Sequence, residues 1–384
     1  MKQLPENKFV SIIKDQSIII IPEFKLHSGI VLHDVSVAYK TWGKLNQKKN
    51  NVMLICNVYT GSADFTEIWS PLMIGKGKAF DTTKFFVFCA NVLGSAYGTS
   101  SSLTINPDTG KLYGPTFPLT TPRDDVRLQK LVLESLGVKQ VAICIGGSLG
   151  GMQVLEWALV GKQKDGDEDF VKTIVPIATC AKLSAWAIAW NEVQRQTIYN
   201  DPLYCNGFYD PENPPSKGLF IARMNALITY RSRNAFELNF GRDVKEPDHY
   251  DANEPPFYQV QSYLNYQSDK FIKRFDANCY ISLTHKLDNH DISNGRGGDI
   301  NNVLKSINQP ALILGLKEDV LFPISEQYNL AENIPNSEIV ILGIEDGHCA
   351  FLNESDTLNN FILGFIKKHL CEIFDASIES EFEG

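Results

Sequence analysis

The sequence predicts an α/β protein whose mostly parallel, doubly wound sheet is interrupted by a helical insertion. Two apolar runs, Val141–Ile145 and Thr173–Ala178, are typical of strands buried on both faces of a parallel sheet. The segment between them, Gly150–Val160, has helical character, so the chain order is strand, helix, strand. Strand-like runs then stop and return only at Ala311–Leu314. The sheet is therefore expected to close across the intervening segment.

The N-terminal elements fit the same sheet. Four β-type runs come first: Ser17–Ile21, Val35–Thr41, Val52–Asn57 and Phe85–Ala90. The first helix has a readable start, with Thr121 as N-cap and Pro122 as its first residue. Asp124 and Asp125 place negative charge in its first turn, which the helix dipole favours, and Gly137 ends it.

Residues 181–304 differ in character from the rest of the chain. They lack buried strand runs, and helices are predicted over Leu183–Tyr199 and Leu219–Arg231. A further strand, Glu338–Leu342, and a last helix from about Phe351 to Leu370 complete the sheet domain. We therefore expect a core formed by residues 1–180 and 305–384, with residues 181–304 as a mainly helical lid insertion.

Composition excludes several classes of function. The chain has 384 residues, of which 43% are hydrophobic and 21% charged, and its net charge is −9. That acidic balance argues against nucleic acid or anionic membranes as partners, and no apolar run approaches the ~20 residues that span a bilayer. The start, MKQLPENK, has no apolar signal region, and the eight cysteines form no C-x-x-C pair. We expect a cytoplasmic protein with reduced thiols and no metal site.

The strongest local motif is a G-x-S-x-G pentapeptide formed by Gly146, Ser148 and Gly150. It lies between a buried strand and a helix, where a Ser adopts strained backbone angles and holds its hydroxyl above the sheet. A glycine-rich turn or a phosphate-binding loop could have the same short pattern. The strand and helix on either side favour a nucleophilic Ser148, which then requires a base and an orienting acid.

Elimination leaves one histidine as the expected base. In this architecture the chain order is Ser, then Asp or Glu, then His. Six histidines precede Ser148, fall within the insertion or end the last helix: His27, His33, His249, His285, His290 and His369. His348 remains, and it follows the strand Glu338–Leu342 beside a turn-forming Gly347.

Asp319 is the expected acid. It follows the strand Ala311–Leu314, where Glu318 also qualifies by position. We choose Asp319 because the apolar run Val320–Pro323 should draw its immediate neighbour inward. The oxyanion of an acyl-transfer reaction would be held by the N–H of Leu149 and by an N–H near Tyr59, in a loop that follows an early strand.

Several sequence blocks together resemble the homoserine O-acetyltransferase family of the α/β-hydrolase fold, particularly its fungal members. In the core the matching blocks are Tyr59–Ala63, Asn106–Lys111, Gly114–Thr121, Arg123–Arg127 and Gly146–Met152. In the insertion they are Gln194–Gln196, Ala222–Met224, Leu227–Arg233, Val260–Leu264 and Gly295–Gly298. Blocks in this order are more specific than one pentapeptide.

The resemblance implies acetyl transfer from acetyl-CoA to L-homoserine in methionine biosynthesis, through an acetyl-Ser148 intermediate. It implies that Arg223 binds the substrate carboxylate, that Tyr230 lines the tunnel, and that Thr60 and Cys349 contact substrate. The partners it implies are small molecules and a second copy of the chain in a homodimer. Acetyl-CoA is a co-substrate, and no bound cofactor or metal is expected.

Two positions depart from the family pattern. Cys349 stands where the family usually has an Asp that holds the substrate ammonium, and Asn57–Gly61 replaces His-Ala-Leu-Thr-Gly. Both departures lie at the acceptor or oxyanion end, so the acyl-transfer residues stay intact. They leave open a serine O-acetyltransferase of cysteine biosynthesis, or an esterase that uses water as the acceptor. A non-catalytic paralogue is disfavoured because Ser148, Asp319 and His348 are all present.

Overall fold

A computed structural model describes residues 7–160, 169–245 and 255–375. For the segment Lys162–Asp169, the sequence predicts a solvated surface loop, and almost all of it lies outside the described residues, as do residues 1–6 and His249. The strands are β1 (Ser17–Lys25), β2 (Val31–Trp42), β3 (Val52–Cys56), β4 (Phe86–Ala90), β5 (Ile105–Asn106), β6 (Lys111–Leu112), β7 (Val141–Gly147), β8 (Val171–Ile177), β9 (Ala311–Leu316) and β10 (Ser337–Leu342). The helices are α1 (Pro122–Ser135), α2 (Leu149–Val160), α3 (Ala185–Tyr199), α4 (Ser216–Tyr230), α5 (Arg233–Asn239), α6 (Gln259–Ile272), α7 (Ala277–Asp288), α8 (Ile300–Lys305), α9 (Ile324–Asn333), α10 (Ala350–Asn353), α11 (Ser355–His369) and α12 (Cys371–Phe374).

Eight strands form one sheet in the order β1-β2-β4-β3-β7-β8-β9-β10. The pairs β1/β2 and β2/β4 are antiparallel, and the pairs from β4 to β10 are parallel. Every residue of β3, β7 and β9 is buried, as expected for strands covered by helices on both faces. The mostly parallel α/β sheet predicted from the sequence is confirmed.

The start of α1 follows the local rules that predicted it. The Thr121 side chain accepts a hydrogen bond from Asp124 N–H, and the Asp124 side chain accepts one from Thr121 N–H. Pro122 is the first helical residue, where its missing N–H costs nothing. Past the helix end, Gly137 has φ of 79°, the left-handed conformation that ends many helices.

The chain leaves the sheet after β8 and returns at β9, and helices α3 to α8 lie between them. The exact boundaries of the insertion, residues 181 and 304, stay a prediction.

One sequence expectation is wrong: the last helix is divided into α10 and α11, with a non-helical Glu354 at φ −95° and ψ 60° between them. The short α10 packs against the sheet domain through Phe351, which is buried and whose ring centre lies 5.9 Å from that of Trp69. No helix in the described parts of the chain is both long and apolar enough to cross a bilayer.

A buried ion pair joins the insertion to the sheet domain. Lys286 Nζ on α7 lies 2.5 and 2.6 Å from the two carboxylate oxygens of Asp125 on α1, and both side chains are fully buried. Lys286 also donates to Leu93 O at 2.8 Å, and Asp125 accepts from Leu93 N–H at 2.9 Å. Because every partner is satisfied, this contact fixes α7 against α1.

Candidate active site

Ser148 occupies the sharp turn between β7 and α2. Its φ is 58°, a strained angle for a residue with a Cβ. A Cβ on Gly150 would lie 2.4 Å from Cys56 O, and one on Gly146 would lie 2.6 Å from the backbone of Gly150. Both flanking glycines are therefore required by the close approach of β3 and α2 to the turn, as the pentapeptide predicts.

His348 and Asp319 form a buried hydrogen-bonded pair. Nδ1 of His348 donates to Oδ2 of Asp319 at 2.6 Å, and the Asp319 side chain is fully buried. Oδ1 of Asp319 accepts from the N–H groups of Leu321 and Phe322 at 2.8 and 2.9 Å. Asp319 is thus held by backbone donors as well as by its apolar neighbours. Glu318, the alternative from sequence, is half-buried, and its Oε1 lies 3.9 Å from Lys317 Nζ; among the described residues it forms no ion pair with His348.

A cavity of about 530 Å³ contains most of the predicted site. Seven of the residues expected at the site line it: Tyr59, Thr60, Ser148, Arg223, Tyr230, His348 and Cys349. No hydrogen bond joins Ser148 to His348 within the described chain, which is common for catalytic pairs before substrate binds. No group of three or more His, Cys, Asp or Glu side chains able to hold a metal is present in those same residues.

Two backbone N–H groups near Ser148 are available to an anion. Neither the N–H of Tyr59 nor that of Leu149 has a hydrogen-bond partner in the described residues. Tyr59 and Thr60 form a tight turn closed by Gly61 N–H donating to Val58 O at 2.8 Å, in which Thr60 has φ of 62°. The Tyr59 hydroxyl donates to Tyr280 O at 3.3 Å, which ties this turn to the insertion. Burial raises the pKa of Tyr59 well above its usual value, so its hydroxyl stays neutral.

Arg223 on α4 is held between aromatic rings. Its guanidinium carbon lies 4.6 Å from the centre of the Phe271 ring and 5.4 Å from that of Tyr230. Nε of Arg223 is buried without a hydrogen-bond partner among the described residues. Burial raises the pKa of Tyr230 to about 12, although the Arg223 charge opposes the shift. The cavity therefore contains a cation with an unused donor beside a neutral phenol.

The two positions that depart from the family pattern, Cys349 and Asn57, lie in different surroundings. Burial raises the pKa of Cys349 to about 11, although Arg231 opposes the shift, so the side chain is a neutral thiol near pH 7. Asp346, three residues earlier, hydrogen-bonds Arg231 and Asn353. Asn57 is buried directly after β3. Its side-chain Nδ2 donates to Ala90 O at 2.8 Å, and this hydrogen bond links the end of β3 to the end of β4.

The sequence did not identify the C-terminal end of α6 as part of the site. Gln267, Lys270 and Phe271 of α6 line the cavity, and so does Arg274, two residues past the end of the helix. A mixed polar and apolar spacing of i, i+3 and i+4 gives no clear signal in sequence. A second cavity of about 30 Å³ also contacts Ser148 and Tyr59, and Thr229 and Phe322 help to line it.

Comparison with known proteins first defines the class. A family model described as the alpha/beta hydrolase fold matches residues 51–355, so this chain is an α/β-hydrolase-fold protein. The homoserine O-acetyltransferase of Emericella nidulans is 44% identical over 97% of this chain and 91% of its own length. The chain belongs to the homoserine O-acetyltransferase family, which confirms the resemblance seen in its motifs.

Solved structures agree with the fold. Esterase E22 superposes with a TM-score of 0.79 at 26% identity, over 92% of this chain and 99% of its own. The homoserine O-acetyltransferase from Bacillus anthracis superposes with a TM-score of 0.81 at 23% identity, over 96% of this chain and 99% of its own. Proteins described as an esterase and as an acetyltransferase therefore share this architecture, so the acceptor must be argued from the site.

Proposed function

We propose that this chain transfers an acetyl group from acetyl-CoA to the side-chain hydroxyl of L-homoserine, a step of methionine biosynthesis. The observation that carries the proposal is one cavity lined by Ser148, by His348 with its buried Asp319 partner, and by Arg223. An esterase requires only the first three of these residues. A half-buried guanidinium whose buried Nε–H has no partner among the described residues favours an acceptor that bears a carboxylate.

In the first step Ser148 Oγ attacks the thioester carbonyl while His348 Nε2 takes its proton. Asp319 accepts from Nδ1–H, which keeps the ring in this tautomer and stabilises the imidazolium. The negative charge on the carbonyl oxygen is held by the N–H groups of Tyr59 and Leu149. The C–S bond then breaks, His348 returns the proton to the departing thiolate, and acetyl-Ser148 remains.

In the second step the homoserine hydroxyl attacks acetyl-Ser148. His348 accepts the hydroxyl proton, and the same N–H groups hold the second oxyanion. Collapse releases O-acetylhomoserine, and the proton passes from His348 back to Ser148 Oγ.

Replacement of Arg223 by Ala tests the role proposed for the cation. We expect kcat/KM for homoserine to fall about a hundredfold, because a charge-assisted bidentate contact contributes roughly 2–3 kcal/mol. The first-turnover release of CoA should change much less, since that step precedes acceptor binding. Stopped-flow detection of free thiol separates the two quantities. An equal loss in both steps would assign Arg223 to general support of the cavity instead.

Serine is the nearest alternative acceptor, and water is the other. Cys349 is neutral near pH 7, so it supplies no negative charge for the substrate ammonium. That absence of charge weakens discrimination between hydroxy amino acids. Hydrolysis instead of transfer depends on how well the helical insertion excludes water from the acetyl-enzyme. Esterase E22, at 26% identity, is the relative that motivates this second candidate.

The deciding assay offers acetyl-CoA to the purified protein with homoserine, with serine, or with buffer alone. We expect sustained thiol release with homoserine at the highest kcat/KM, and O-acetylhomoserine as the product by mass spectrometry. Faster turnover with serine would reassign the acceptor. Acetyl-CoA consumption that no amino acid accelerates would contradict the transferase and favour the esterase.

We also infer that the protein works in the reducing cytoplasm as a homodimer that meets through its helical insertion. Its eight cysteines are free in the structure, as expected for reduced thiols. Large apolar side chains are exposed on the insertion helices, among them Trp186, Ile221 and Leu238. Sedimentation velocity measures the assembly, and a monomer at micromolar concentration would contradict the dimer.

A further inference from the structure

Lys270 on α6 and Arg274, two residues past the end of that helix, bring two positive charges to the cavity that the proposed reaction has not used. The two residues are four positions apart in sequence, and Phe271 beside Lys270 also lines the cavity. The cavity also contains Arg223, and among its described lining residues the single carboxylate is that of Glu67. The lining is therefore positively charged, although the protein as a whole has a net charge of −9.

Neither Lys270 nor Arg274 forms an ion pair with an acidic side chain among the described residues. Lys270 Nζ lies 5.4 Å from the centre of the Tyr266 ring, and Lys270 is exposed. Arg274 donates to the Tyr97 hydroxyl at 2.9 Å, and its guanidinium carbon lies 5.6 Å from the Phe271 ring. Within the described residues no carboxylate comes within 4.0 Å of the charged nitrogens of either side chain. Two unneutralised cations beside one cavity are the usual signature of an anionic ligand.

We infer that Lys270 and Arg274 bind the phosphate groups of the acyl donor, which rests on the function proposed above. Acetyl-CoA carries a pyrophosphate and a ribose phosphate at the end remote from its thioester, so a cationic patch on the same cavity complements that end. Arg274 can present its planar fork to two phosphate oxygens, and Lys270 adds a mobile point charge. Arg223 remains free for the carboxylate of the acceptor.

Charge reversal at Lys270 tests the inference. For Lys270→Glu we expect KM for acetyl-CoA to rise about tenfold more than KM for acetylpantetheine, a thioester donor without the pyrophosphate and ribose phosphate. The matched control is Lys273→Glu, which makes the same charge change at the C-cap of α6, at an exposed residue that does not line the cavity. This control should leave the KM values for both donors unchanged. Lys270→Arg should retain the wild-type preference for acetyl-CoA.

Ionic strength gives a second readout. Added salt should raise KM for acetyl-CoA in the wild type and have a smaller effect in Lys270→Glu, because screening weakens a charge contact that the variant lacks. Equal changes for the two donors, or equal effects of Lys270→Glu and Lys273→Glu, would overturn the phosphate site and leave the proposed function standing. Wild-type protein that releases no CoA from acetyl-CoA would overturn both.

Discussion

The Ser148→Ala variant is expected to lose the burst of CoA release and the acetyl-enzyme. Removal of the nucleophile from a Ser-His-Asp triad costs roughly 10⁴- to 10⁶-fold in turnover, because the base and the acid then have no atom to activate. The folded state should survive, since Ala and Ser meet the same strain at φ of 58°. Rapid-mixing detection of free thiol and the intact mass of the protein after mixing with acetyl-CoA measure the two losses.

The matched control for this variant is Ser11→Ala. Ser11 is exposed and its hydroxyl donates to Lys8 O at 3.0 Å, remote in sequence from every cavity-lining residue. Its burst amplitude should equal that of the wild type. A full burst in Ser148→Ala, with an acetyl group on another residue, would show that the nucleophile is wrongly identified.

The sequence predicted the residues proposed to react more completely than their surroundings. Ser148 is a candidate nucleophile from sequence because the turn that holds it needs glycines on both sides, and those leave a pattern in the sequence. His348 followed from chain order and the exclusion of other histidines. Asp319 was chosen for an apolar neighbour, whereas the structure adds the N–H groups of Leu321 and Phe322 as the contacts that hold it. A backbone contact of this kind leaves no signal in side-chain identity.

The insertion shows why the remainder could not be predicted. Its helices are predicted because the segment lacks buried strand runs, but the face that each helix presents is chosen by tertiary packing. The sequence therefore indicated α3 and α4 without indicating that Lys270 on α6 and Arg274 just after it line the same cavity as Ser148. The break between α10 and α11 at Glu354 was not predicted either, because local helix preference does not show where tertiary packing ends a helix.

The Lys286→Met variant is expected to destabilise the protein by about 3–5 kcal/mol near pH 8, since it leaves the Asp125 carboxylate buried without its cation. Burial raises the pKa of Asp125 to about 6 even with Lys286 beside it, and burial lowers the pKa of Lys286. Burying the charged Asp125–Lys286 pair thus costs folding free energy, and burying the Asp125 carboxylate without Lys286 costs more. Lys182→Met is the matched control, because Lys182 pairs with Asp291 at 3.0 Å but is more than half exposed. Its cost should stay below about 1 kcal/mol.

The pH dependence of the Lys286→Met variant distinguishes an unpaired carboxylate from a simple packing defect. Without Lys286 the folded-state pKa of Asp125 rises further above its unfolded value of about 3.9, so the folded state binds the extra proton. Stability is then present at low pH and falls as pH rises, by at most about 1.4 kcal/mol per pH unit until the folded-state pKa is passed. Urea unfolding of the variant and the wild type between pH 5.5 and 8 measures the difference in slope.

Asp125→Asn combined with Lys286→Met should remove the extra slope, because the amide keeps an oxygen for Leu93 N–H and carries no charge. If the stability of Lys286→Met alone changed with pH in parallel with the wild type, Asp125 would have found another cation. The Lys286–Asp125 pair would then not be what holds α7 against α1.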